Sequence, residues 1–152
     1  MPTSALRNLA TPGLHGAPLR IAAPPAAQRT ALLVACVAAF GVAAWAGGAA
    51  GTIDADADLT RLLRGIALIK ASLVIAAIGV LWWRLGRPVA ARTATAYVVG
   101  AALMAGATAL VWMLASIPLA ALLFHIGEFT LLIVAWRDRS GSSDPRATLE
   151  RA

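Results

Sequence analysis

Four apolar stretches of about 20 residues each fill most of this chain between Thr30 and Trp136. A helix rises about 1.5 Å per residue, so about 20 residues cover the ~30 Å hydrocarbon core of a bilayer. Backbone N–H and C=O groups find no water there, which leaves helices or closed barrels as the structures that can cross. None of the four stretches alternates polar and apolar residues as a barrel strand does. The sequence therefore predicts an all-α integral membrane protein, a four-helix transmembrane bundle with helices near 30–51, 62–83, 93–114 and 117–136. Composition points the same way: the chain is 60% hydrophobic and 13% charged, with a mean hydropathy of +0.78. A soluble domain is about half apolar and about one quarter charged.

The charges between the stretches predict orientation. Arg7, Arg20 and Arg29 precede the first, Arg84, Arg87 and Arg92 join the second to the third, and Arg137, Arg139, Arg146 and Arg151 follow the fourth. The opposite side carries only Arg61 and Arg64, beside the acidic run Asp54, Asp56 and Asp58. Ten basic residues against two place both termini in the cytoplasm, because basic loops stay on that side. This distribution also accounts for the net charge of +6 without invoking nucleic acid, whose binding is not expected. Trp83-Arg84 and Trp136-Arg137 repeat one ending, an interfacial ring followed by a cation at headgroup level, and are the predicted interfacial anchors. Twelve arginines against one lysine, with abundant Ala and Gly, suggest G- and C-rich coding DNA, and the expected location is a bacterial inner membrane.

Residues 1–29 hold five of the eight prolines, including Pro24-Pro25, and show no apolar period, so they are expected to form a disordered cytoplasmic arm. The transmembrane domain then runs over 30–137, and 138–152 form a flexible cytoplasmic tail. Ser116 is expected to cap the fourth helix, with Pro118 in its first turn, so helices three and four make a tight antiparallel hairpin. An alternative for the first stretch is a cleaved signal peptide, since Ala44-Trp45-Ala46 loosely fits the cleavage pattern, although the apolar run exceeds the usual one. Small residues recur at i+4 in the first helix (Ala35, Ala39, Ala43, Gly47, Gly51) and in the third (Ala101, Ala105, Ala109, beside Ala102 and Gly106). Such rows let helix backbones approach closely, which is what drives packing in lipid.

Three ionisable residues lie at membrane depth, Lys70 in the second stretch and His125 and Glu128 in the fourth, whereas Arg64 stands near the edge of the second. An ionisable side chain in hydrocarbon is costly, so it is paired, hydrated or functional. His125 and Glu128 are i and i+3 and share a helix face. The second and fourth helices run the same way, and aligning their Trp-Arg endings shifts one by 53 residues, which sets Lys70 level with Leu123. His125 then lies about 3 Å deeper and Glu128 about 7 Å deeper, within reach of the lysine stem. The trio is thus expected to form an intramembrane polar cluster. It reads as a structural Lys70–Glu128 ion pair, as a proton relay using His125, or as a lysine snorkelling towards the headgroups marked by Arg64.

Enzymatic readings fail by counting. A di-iron bundle needs E-x-x-H on two helices and two further Glu residues; this chain has one Glu within the stretches, in the order H-x-x-E. H-E-x-x-H, P-loop and G-x-S-x-G motifs are absent, as are C-x-x-C and C-x-x-C-H. The lone Cys36 is expected to be a small buried hydrophobe. No catalytic residue, metal site or cofactor is predicted. The leading expectation is a small accessory or assembly partner of a larger membrane complex, in contact with lipid and with a protein partner or further copies of itself. The alternatives are a small oligomeric transporter or proton-coupled carrier using the trio, and a haem-binding electron-transfer subunit through His125, with the second ligand supplied by a homodimer or a partner because His15 lies in the arm.

Overall fold

The computed structural model describes residues 23–50 and 56–141, and every regular element among them is a helix. The helices are α1 (Pro25–Ala50), α2 (Ala57–Arg84), α3 (Ala91–Trp112) and α4 (Ile117–Gly141). All four contain a stretch long and apolar enough to cross a membrane. Gly51, Asp54 and His15 lie outside the described residues, as do the tail beyond Gly141 and the arm before Ala23.

The helix ends differ from the hydrophobic boundaries for local reasons. Pro24-Pro25, expected in a disordered arm, instead opens α1 five residues early. Proline at the first helical position has no hydrogen bond to lose, and the Gln28 amide closes the first turn on the Pro24 carbonyl at 3.2 Å. Similarly, α2 begins at Ala57 rather than 62 because Asp56 caps it, its Oδ1 accepting the Leu59 N–H at 2.7 Å. Asp58 in the first turn adds favourable negative charge at the positive helix end. The acidic run is thus partly a helix start. α3 spans 91–112 instead of 93–114 because Leu114 turns left-handed, at φ 53°. Leu114 N–H donates to Val111 O, and Ala115 N–H to Leu110 O, the double closure usually built around glycine. α4 starts where expected, but on the Ser116 carbonyl, which accepts from Ala120 N–H, rather than on its hydroxyl. It continues one turn past 136, so Asp138 is helical rather than part of a tail.

α3 is the hub. It packs closely on α1 and α4 and less closely on α2, while α2 and α4 make no close backbone approach. Of the most apolar stretch of α3, 56% is buried, against 17% in each of the other three. The small-residue rows explain the close pairs. Ala39 backbone lies against Gly106, and Gly47 against Met113 and Ala115, so the rows on α1 and α3 serve packing within the chain. The α3–α4 crossing is tighter still: a Cβ added to Gly127 would sit 2.6 Å from the Gly100 carbonyl oxygen. Cys36 is buried in the resulting core with Leu32, Tyr97, Met104 and Phe124. The hydroxyls of Thr30, Ser72, Thr95, Thr108 and Thr130 each donate to the carbonyl four residues back, so these five are satisfied within their own helices.

Candidate functional site

The polar side chains gather at two levels of the bundle. The first holds the predicted trio. His125 Nδ1 and Glu128 Oε2 lie 3.3 Å apart on one face of α4, as their spacing requires. The Lys70 ammonium does not reach Glu128; it sits over the Phe124 ring, 3.7 Å from the centroid. Among the described residues no ion pair joins Lys70 to Glu128. The buried Phe124 ring offers the cation its negative π face and meets the His125 imidazole edge-on at 6.0 Å between centroids. The helix geometry therefore brings all three residues to one neighbourhood but distributes the contacts differently from the simple ion pair. The side chains of His125 and Glu128 are 58% and 44% exposed, so this pair faces away from the core.

The second level was not singled out by the sequence pattern. Arg84, at the end of α2, donates from Nη2 and Nε to Asp138 Oδ2 on α4, at 2.6 and 2.7 Å. Tyr97 of α3 donates its hydroxyl to the same oxygen at 3.3 Å. One carboxylate oxygen thus ties three helices together. Arg84, one of the predicted anchors, is thus clamped to α4, and Tyr97 is buried. Of the other predicted anchors, Trp83, Trp136 and Arg137 are exposed, and Arg87 covers the Trp83 ring at 4.5 Å. The neighbouring Arg29 reinforces this end: its Nε donates to the Trp82 carbonyl at 3.0 Å, and its guanidinium lies over the Trp82 ring. Gln28 joins α1 to the α2–α3 turn through its amide, which donates to the Val89 carbonyl at 3.4 Å.

The two levels share a register. Lys70 meets Phe124, and Arg84 meets Asp138, each 54 positions further on. The alignment from the Trp-Arg endings, a shift of 53, is off by one residue. Lys70 and Arg84 are 14 residues apart on α2, and Glu128 and Asp138 are 10 apart on α4, so the trio lies roughly 15–21 Å from the basic end, well inside the apolar length. Asp138 carried one readable signal: an acid between Arg137 and Arg139 that this register sets opposite Arg84. As to metals, no group of three His, Cys, Asp or Glu side chains converges among the described residues.

Fold and site together define an all-helical chain, with four helices long and apolar enough to cross a membrane, a polar pair exposed at mid-length and an ion cluster closing one end. No family model, characterised protein or solved structure matches this chain.

Proposed function

We propose that this chain is a small multi-pass protein of a bacterial inner membrane, with both termini in the cytoplasm, that serves as an accessory or assembly subunit of a larger membrane complex. The observation that carries this reading is the outward exposure of His125 and Glu128, with Lys70 beside them, deep within the apolar length. Left against lipid tails, such a pair costs kilocalories. A polar helix face of another subunit removes that cost and fixes where the subunit docks. The large apolar side chains exposed along α2 and α4, among them Leu73, Ile126 and Phe129, supply the surrounding contact surface. The orientation rests on the arginine distribution.

The test is purification of the tagged chain from native membranes in mild detergent. A stoichiometric larger partner is expected with the native sequence, and its loss is expected for Glu128→Gln at unchanged expression. Recovery of the chain alone or only with copies of itself counts against the accessory role.

A second reading has its own support in the 3.3 Å His125–Glu128 contact, a geometry suited to passing a proton. On that reading the chain is a proton-coupled carrier. Purified protein in vesicles is then expected to carry proton flux that Glu128→Gln abolishes; full flux in that variant removes the relay.

A further inference from the structure

At the basic end, the α2–α3 turn, the start of α3 and the end of α4 enclose an open groove of about 580 Å³. Arg84, Arg92 and Arg137 line it, together with a single acid, Asp138. That acid is already engaged by Arg84 and Tyr97, so the uncompensated field in the groove comes from Arg92 and Arg137. Both guanidinium groups are exposed, and among the described residues neither has an ion-pair partner. The Thr93 hydroxyl, also in the lining, makes no hydrogen bond among the described residues. The remaining wall is apolar, with Pro88, Val89 and Val134.

We propose that this groove binds a phosphate group, and that its bearer is an anionic phospholipid. Guanidinium forks match phosphate oxygens in pairs. The rim supplies two such forks and a hydroxyl, and Arg92 stands in the first turn of α3, whose N-cap Ala90 offers no side-chain acceptor to the helix amides. Fixed positive potential and free donors therefore coincide. The apolar wall distinguishes a lipid from a free ion: Val89 and Val134 give glycerol and upper acyl carbons a surface that inorganic phosphate cannot use. The groove also sits at the end of the candidate spans, level with the Trp-Arg endings where headgroups lie. This site is separate from the mid-length trio, and its test is independent of any protein partner.

The test uses the full chain in detergent micelles, with bound lipid read by native mass spectrometry. The probes are phosphatidylglycerol, phosphatidylcholine and inorganic phosphate. Phosphatidylglycerol is expected to be retained at least about tenfold better than phosphatidylcholine, whose choline cation the arginines repel. Each arginine of the lining that meets the bound headgroup contributes about fivefold, so Arg92→Gln with Arg137→Gln is expected to weaken retention about 30-fold. Arg87→Gln removes a charge from the same end but outside the groove lining, and is expected to change retention less than about twofold. Both altered arginines are exposed, and an unchanged thermal midpoint confirms that the variants fold. Phosphate binding that depends on Arg92 and Arg137, without lipid preference, keeps the anion site and overturns the lipid as its bearer. Equal retention of both lipids without phosphate binding overturns the proposal, as does equal loss in Arg87→Gln and the double variant.

Discussion

The cluster at the basic end and the trio at mid-length contain similar groups, a cation, a carboxylate and an aromatic ring, yet their contacts end in different places. At the basic end three hydrogen bonds from two helices converge on Asp138 Oδ2, and Arg84 and Asp138 are only 26% and 21% exposed. At mid-length the carboxylate bonds within its own helix, and the cation's close contact across helices is to a ring, with no ion pair to Glu128. A charge whose partners lie within the chain contributes to holding that chain together. A charge left outward-facing in an apolar stretch contributes little to the fold and is available to something else. The difference separates structure from function more sharply than residue type does.

The largest expected effect lies at the mid-length level, where α4 crosses α3. Gly127→Ala places a Cβ into the Gly100 carbonyl and the Met104 side chain, so α4 must move off α3. Destabilisation of about 3 kcal/mol is expected, at the upper end for overpacking, measured by denaturant titration in micelles. Wild-type stability in that variant contradicts the crossing on which both clusters depend.

Next comes Asp138→Ala, which leaves a largely buried Arg84 unpaired and strips Tyr97 of its acceptor. The expected loss is about 2 kcal/mol, less than for a fully buried pair because both partners keep some solvent. Replacing Arg84 by Met in the same chain is expected to recover part of it. A double-mutant cycle on Arg84 and Asp138 thus yields a clear coupling energy. The same cycle on Lys70 and Glu128 is expected to yield less than about 0.5 kcal/mol, since no direct contact joins them. Comparable couplings for the two pairs erase the distinction drawn above.

Tyr97→Phe removes one of the three donors to Asp138 and is expected to cost about 1 kcal/mol, the ordinary worth of a hydrogen bond. Smallest is Lys70→Met. The cation–π contact with Phe124 is worth about 0.5–1 kcal/mol and is offset by relief of a charge held in an apolar setting, so stability is expected to move by less than about 1 kcal/mol. A loss of partner or flux in Lys70→Met at unchanged stability places Lys70 with the exposed pair rather than with the fold.

Much of this organisation is legible in the sequence. Hydrophobic runs marked the four helices, and the repeated Trp-Arg endings predicted the parallel register of α2 and α4 to within one residue. The small-residue rows marked α1 and α3 as helices open to close approach within the chain, without saying by which neighbour. Helix ends were less legible because caps, not hydropathy, set them: Pro25 and Asp56 start helices ahead of the apolar runs, and Leu114 stops one early. The Arg84–Asp138–Tyr97 cluster escaped because its members are 13 and 41 residues apart and each has a plausible surface role when read alone.

The sequence by itself determined that the chain makes four apolar helices, where its basic residues gather, and which few polar residues stand within apolar surroundings. These follow from local chemistry, because hydropathy, charge and backbone hydrogen bonding act residue by residue. Only the tertiary structure decided that α3 is the hub, that Gly100 and Gly127 set its crossing with α4, and that Asp138 rather than Glu128 receives the interhelical ion pair. Helices that are apolar on every side carry little directional signal about their neighbours. Their arrangement is settled by close contact between particular small residues, and a shift of one residue changes which charges meet.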